Sequence, residues 1–279
     1  MNYQTSVIEL IKIRKSCRTF EEREIETTAF QKIKAYLSEI NKASTIKARY
    51  VVVNNFEDEK GAAKKLGTYG VISGASTFIV GIVDKDEKDA AMFGYQFEKI
   101  ILYATDLGLQ TCWLGGTFNK GSFSKNLELG ENEMIVIVSP LGYKKDKPKL
   151  LESAMRSLAG SDQRKPWNEI FFNKDSTRSL SVEEAGKYAV ALDMLRLAPS
   201  ASNKQPWRVI MSHNRFDFFV SRTTGYRSLG FDLQKNDVGI AMCHFELSAR
   251  ESGLKGNWKT YGSIEASNDW EYVVTWDIE

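Results

Sequence analysis

Histidine, cysteine and long apolar runs are scarce in this 279-residue chain, and each scarcity closes off a class of chemistry. His213 and His244 are the only histidines, too few and too separated for a histidine metal centre, so each reads as a structural or surface residue. Cys17, Cys112 and Cys243 are odd in number, far apart and without Cys-x-x-Cys spacing. They argue against a disulfide framework or a zinc site and read as packing thiols. No apolar run is long enough to span a bilayer, and the N-terminal stretch mixes Glu9 and Lys12 into an amphipathic pattern with no signal-peptide core. A cytoplasmic protein with no membrane partner is therefore expected. Charge of one sign is missing too: Lys+Arg of 38 against Asp+Glu of 36 leaves +2, so no global field calls for nucleic acid. Any anion site must be local.

What the chain does have is a core. Hydrophobic residues make up 42% of it, enough for one large or two small domains. Of its five prolines, Pro199 and Pro206 bracket the stretch Ala198-Pro-Ser-Ala-Ser-Asn-Lys-Gln-Pro-Trp207. The backbone there is held in extended and turn conformations, and the preceding helix cannot continue. Two serines, Asn203 and Gln205 put donors and acceptors into one short segment, which suits the mixed edge of a heterocycle. A polar helix-to-strand turn with a tryptophan plug is the plainer alternative.

Further chemistry lies near the start. After a first helix carrying Val7, Ile8, Leu10 and Ile11 comes Arg14-Lys-Ser-Cys-Arg-Thr-Phe20, a candidate anion cradle of three cations and two hydroxyls. A basic helix end also serves plain dipole compensation. The spacing predicts a helix over 27–40, a strand over 50–53, a stronger strand within 74–83 and a broad-faced helix over 90–107 stopped by Gly108. Leu109 to Phe118 follows and contains Leu114-Gly115-Gly116, where bare backbone can approach a ligand or simply turn. A strand over 134–138 leads to a charged turn at 144–149. A polar, partly helical connection over 150–165 then reaches Arg164-Lys165-Pro166-Trp167.

The second half repeats the first. Phe93–Leu109 and Val238–Leu254 align without a gap, matching Gly94 with Gly239, Leu102 with Leu247, Ala104 with Ala249 and Gly108 with Gly253. A helix over 182–197, a strand over 208–211 and a β-rich segment over 216–222 repeat the earlier order. The strand over 272–276 could extend a sheet in this chain or in another. Two halves, 1–165 and 166–279, are expected to form an internal pseudo-dimer.

Taken together, Arg14–Phe20, Gly115-Gly116 and Ala198–Trp207 resemble the FMN-dependent nitroreductase family, with its Arg-[Arg/Lys]-Ser-x-Arg-x-Phe and Ala-Pro-Ser-x-x-Asn-x-Gln-Pro-Trp segments. Here the motifs are split: the first half has Lys42–Ala48 where the second motif should stand, and the second half reduces the first motif to Thr177-Arg178-Ser179-Leu180. The pattern is similar to an internally duplicated branch with one complete flavin site per chain. The resemblance implies an α+β nitroreductase-like fold, two similar halves each with a mixed sheet flanked by helices. It gives Arg14, Lys15 and Ser16 the FMN phosphate and ribityl chain, and places Arg18 near the N1 and O2 edge. Leu114, Gly115 and Gly116 fall at the backbone amides facing N5 and O4, and Arg164, with Lys165, at the phosphate. Pro199, Ser200, Ser202 and Asn203 fall at the ring and its pyrimidine edge. No side chain is implied as a catalytic acid or base, and no metal. The implied reaction is ping-pong: NADH or NADPH as donor, and a nitroaromatic or quinone as the small-molecule acceptor. A non-catalytic FMN carrier or sensor, or a reductive dehalogenase-like member of the fold, are the competing readings. A monomer is expected over a homodimer.

Overall fold

A computed structural model describes residues 3–54, 56–57, 63–64, 67–125, 127–146, 160, 163–174, 178–224, 230–266 and 269–279. The longer helices of the first half are α1 (Val7–Ile13), α2 (Thr27–Ala43) and α3 (Ala90–Asp106). Strands β1 (Ala48–Asn54), β2 (Phe56–Glu57), β3 (Ala63–Lys64), β4 (Thr77–Asp84), β5 (Gln110–Thr111) and β6 (Glu133–Gly142) belong to the same part, with the short helix α4 (Lys120–Ser124). Then come β7 (Phe171–Asn173), α5 (Val182–Ala185), α6 (Ala189–Arg196), β8 (Trp207–Ser212), β9 (Arg215–Val220), α7 (Leu233–Glu251), β10 (Gly256–Lys259) and β11 (Glu271–Ile278). The chain divides into two compact units. Unit 1 comprises Met1–Thr5, Ile13–Asp89 and Lys99–Leu158; unit 2 comprises Ser6–Lys12, Ala90–Glu98 and Ala159–Glu279.

Unit 1 holds a sheet in the order β1-β4-β6-β5, antiparallel throughout, and β2 pairs with β3. Its core gathers Phe78, Val80 and Ile82 of β4, Ile135 and Val138 of β6, and Leu114, Phe118 and Phe123. These are side chains that a β4 running Thr-Phe-Ile-Val-Gly-Ile-Val-Asp, buried at all but its last residue, presents to whatever covers it. The strand expected over 134–138 runs on to Gly142, straight through Pro140. That proline explains why β5 is so short. Leu114 and Val138 exchange both backbone hydrogen bonds, at 2.9 and 3.0 Å. The same register sets Cys112 against Pro140, which has no N–H to offer. The Cys112 amide donates instead to Ser139 Oγ at 3.2 Å, and the chain bows away at Cys112–Trp113.

Unit 2 holds a sheet in the order β10-β11-β9-β8-β7. From β8 outward this is the same succession as in unit 1, β8, β9, β11 and β10 standing where β1, β4, β6 and β5 stand, and again antiparallel. β7 is an addition, parallel to β8 on its outer side. β11 thus pairs within this chain, which the sequence left undecided. Phe245 of α7 forms the middle of an aromatic core, with ring centroids 5.2 Å from Phe216, 5.5 Å from Phe218 and 5.8 Å from Trp276.

Two helices differ from expectation. The helix expected over 182–197 is broken: Gly186 takes φ +52°, a left-handed conformation that ends α5, and a single 3-10 turn leads into α6. The second long helix starts at Leu233, five residues before the aligned segment Val238–Leu254, because Asp232 caps it, accepting the Gln234 and Lys235 amides at 3.1 and 3.0 Å.

Glycines at matched positions of the repeat bring two helices together within unit 2. A Cβ on Gly94 of α3 would sit 2.1 Å from the Asn236 carbonyl oxygen, and one on Gly239 of α7 would sit 1.8 Å from that of Ala91. In the gapless alignment Gly94 matches Gly239 and, one turn earlier, Ala91 matches Asn236. The contact is therefore reciprocal, as at a two-fold axis. Beside this crossing His244 of α7 is buried, its Nδ1 3.1 Å from the Met194 carbonyl and its Nε2 2.9 Å from Glu98 Oε1. His213 is exposed, and all three cysteines are buried and outside any disulfide. Among the described residues no helix is long and apolar enough to cross a membrane, and no cluster of potential metal ligands occurs.

Candidate flavin site

In unit 1 the Arg14–Phe20 segment leaves α1 and is threaded in extended form between three supports. Ser16 bridges Thr111 of β5, with the Cys17 amide donating to the Thr111 carbonyl at 2.9 Å. Farther along, the Phe20 amide donates to Ser73 O at 2.8 Å and the Ser73 amide to Arg18 O at 2.9 Å; Lys145 N then reaches Thr19 O at 3.1 Å. Gly74 lets these strands approach so closely: its φ is +84°, and a Cβ there would lie 2.0 Å from Phe20 O. The consequence is that the segment is fixed at Ser16 against Thr111 of β5, the strand from which the chain runs on to Leu114, Gly115 and Gly116, and at Arg18 against Ser73.

The side chains differ in what they have left to give. Lys15 is exposed, Ser16 half-buried and Arg14 buried. Arg18 is half-buried, and its Nε and Nη1 are fully enclosed without a hydrogen-bond partner among the described residues. Leaving such donors unmet is costly, on the order of 1–3 kcal/mol each. A phosphate or an anionic ring edge would satisfy them with charge-assisted bonds. By this test the segment fits FMN.

In unit 2 the Ala198–Trp207 stretch is a turn rather than a simple loop. Ser200 is extended, with φ −145° and ψ 157°, and Ala201–Asn203 make one 3-10 turn. Ser202, Asn203 and Gln205 have φ of 50°, 54° and 49°. Three left-handed non-glycine residues within four cost about 1–3 kcal/mol apiece, and persist only where surroundings dictate them. The restraints are visible. Ser200 Oγ accepts the Gln205 amide at 2.9 Å, and Gln205 Oε1 accepts the Lys165 amide at 2.8 Å. Asn203 Nδ2 donates to Gly160 O at 2.7 Å and Gln163 O at 3.1 Å. The Ala201 amide donates to Asp237 Oδ2 at 3.0 Å. Trp207 is wholly buried behind the turn.

These bonds tie Arg164 to the same turn: Gln163 and Lys165 on either side of it are held by Asn203 and Gln205, and its Nη2 donates to Leu197 O at 3.2 Å. Lys165 has its pKa lowered, first by burial and then by Arg208 and Lys204 nearby, so positive charge is concentrated here. The Asn203 amide nitrogen is spent on the protein, and Oδ1 has no hydrogen-bond partner among the described residues. Pro199 and Ser200 are half-buried and Ser202 is exposed. The sequence reading missed Ser73, Gly74 and Asp237; an aspartate directly before the apolar run Val238–Cys243 of α7 was the one available signal. Most of the connection over 150–165 lies outside the described residues.

Curated proteins offer no match to this chain. Among protein-family models, residues 6–249 match the family described as "Putative TM nitroreductase". The chain belongs to this nitroreductase family. Family membership places it among oxidoreductases. This nitroreductase-family chain is similar in fold to a putative nitroreductase from Thermotoga maritima msb8, at 18% identity and TM-score 0.60, covering 100% of this chain and 96% of that one. A nitroreductase with bound FMN from Bacteroides fragilis matches at 22% identity and TM-score 0.40 over 53% of this chain and 92% of its own. A nitroreductase family protein from Clostridium novyi NT matches at 25% and 0.39 over 52% and 87%.

Proposed function

We propose that this nitroreductase-family protein binds one FMN per chain and passes reducing equivalents from NADH or NADPH to a nitroaromatic or quinone-type acceptor. The observation that carries the reading is Arg18, with two enclosed N–H-bearing atoms lacking partners among the described residues, in a segment bridged through Ser16 to Thr111, three residues before Leu114. FMN, when bound, supplies two-electron chemistry through its ring system. The chain's own part is positioning and electrostatics. Arg14, Lys15, Ser16 and Arg164 hold the phosphate and ribityl chain. Arg18 supplies a fixed cation for the ring edge. Leu114, Gly115 and Gly116 offer backbone amides, and Pro199, Ser200, Ser202 and Asn203 offer the turn, Asn203 through Oδ1. No residue is assigned as acid or base, and the kinetics are ping-pong, donor leaving before acceptor enters. The matched glycines and the repeated strand order support an internal duplication, with the chain acting as a monomer.

The test is the visible spectrum of the purified protein under anaerobic addition of NADH, then of NADPH. A flavin spectrum bleached within seconds by either nucleotide and restored by a nitroaromatic is the expected result. A stable flavin spectrum that neither nucleotide bleaches would replace the oxidoreductase reading with that of a carrier or sensor.

A further inference from the structure

The turn at Ala198–Trp207 is strained, and most of what restrains it is equally local. Ser200, Asn203 and Gln205 bond within the turn or to the nearby Gly160–Lys165 stretch. Asp237 is different, because it reaches the turn from α7, a helix of 19 residues. Asp237 is 3% exposed, and its carboxyl makes no ion pair among the described residues. Burying a carboxyl so thoroughly is unfavourable unless something is gained by it. Burial, the largest influence, pushes its pKa well above the usual carboxylate range, over the opposing effect of the Ala201 hydrogen bond.

The repeat adds a second, independent observation. Extended one residue back from Phe93 and Val238, the gapless alignment sets Asp237 opposite Met92. In the half with Asp237 the Pro-Ser turn is complete. In the half with Met92 the corresponding stretch is Lys42–Ala48, with no Pro-Ser-x-x-Asn pattern. Acid and turn are present together and absent together.

We propose that Asp237 is a positioning residue for the flavin: by accepting the Ala201 amide it fixes the left-handed backbone at Ser202 and Asn203, and thereby sets FMN affinity. The inference rests on the FMN reading above. An oxygen acceptor at this place is what matters, and charge is not. Asparagine should therefore substitute and leucine should not.

The experiment measures FMN dissociation constants by quenching of flavin fluorescence on full-length apo-protein, for wild type, Asp237→Asn, Asp237→Leu and Ala201→Pro. Ala201→Pro removes the donor rather than the acceptor; it sits at the first position of the turn after an extended Ser200, where proline is accommodated. It stays informative even if Asp237→Leu does not fold. Loss of the hydrogen bond should weaken FMN at least about tenfold in Asp237→Leu and Ala201→Pro, while Asp237→Asn stays within about threefold of wild type. Thermal midpoints of the apo-proteins accompany each titration, and the rescue by asparagine separates positioning from a general loss of packing. Wild-type affinity in Ala201→Pro, or equal losses in Asp237→Asn and Asp237→Leu, would overturn the proposal. A wild-type chain that binds no FMN at all would remove the flavin reading itself, and this inference with it.

Discussion

Arg18 and Arg178 belong to corresponding segments of the two halves, and their surroundings are opposite. Arg18 has two enclosed guanidinium nitrogens with no partner among the described residues. Arg178 is exposed and closed by a fork to Glu184, at 2.6 and 3.0 Å. Glu184 belongs to a complete capping box with Ser181, so its carboxylate serves both the arginine and the start of α5. The Pro-Ser stretches contrast likewise. Where the second half has its restrained left-handed turn, the first has Ser44 bonded to Ile46 O at 3.0 Å and Lys47 paired with Glu87 on the surface. Similar strand orders thus carry one segment with donors to give and one that has spent them on itself. A fold can be kept while a site is closed, simply by supplying internal partners.

Replacing arginine by alanine in each segment should break the comparison most visibly. Arg18→Ala should weaken FMN by about 10- to 100-fold, the worth of one or two hydrogen bonds to a charged group. Arg178→Ala should leave FMN affinity unchanged within error in the same titration. Equal losses would mean that the two segments do not differ as described.

A smaller effect is expected from Gly74→Ala, which leaves every proposed ligand in place. Its Cβ would fall 2.0 Å from Phe20 O at a positive φ, so the threaded segment must shift. Chemical denaturation should show a loss of about 1–3 kcal/mol in stability, with weakened FMN binding alongside. Intact FMN affinity would show that the Ser73–Phe20 pairing does not set the arginine segment.

The smallest effect sharpens the closed side. Arg178, through its hydrogen bonds, is the largest cause lowering the Glu184 pKa from 4.5 to about 2. A carboxylate whose folded pKa is depressed contributes stability above its unfolded pKa and loses it as pH falls through the folded value. That contribution is therefore present above about pH 4.5 and disappears between there and about pH 2. Glu184→Gln should flatten this part of the acid limb in thermal melts as a function of pH. It should create no second flavin site.

Much of this was legible in the sequence because it rests on local pattern. The amphipathic spacing of α2, the β-branched runs of β1 and β4, and the glycine-bounded α3 are properties of short windows. The repeat was legible for a related reason: Gly94 and Gly239 are required by a close helix crossing, where any side chain would strike backbone. What escaped depends on partners distant in sequence. β7 has three residues and β10 four, and each exists through pairing with a neighbouring strand. β6 runs past Val138 through Pro140, which stands opposite Cys112, whose amide bonds to Ser139 Oγ. Gly186 looks unremarkable in a helical pattern until its φ is known. The cation and turn motifs named the candidate site; what holds them, Ser73 and Gly74 on one side and Asp237 on the other, became visible only with the folded backbone.

The central claim is that the chain has one competent flavin-binding set and one closed set, and counting FMN tests it most directly. Apo-protein of known concentration would be titrated with FMN and the bound flavin quantified by absorbance after separation from free flavin. The account predicts saturation at one FMN per chain. Two per chain, or none, would contradict it.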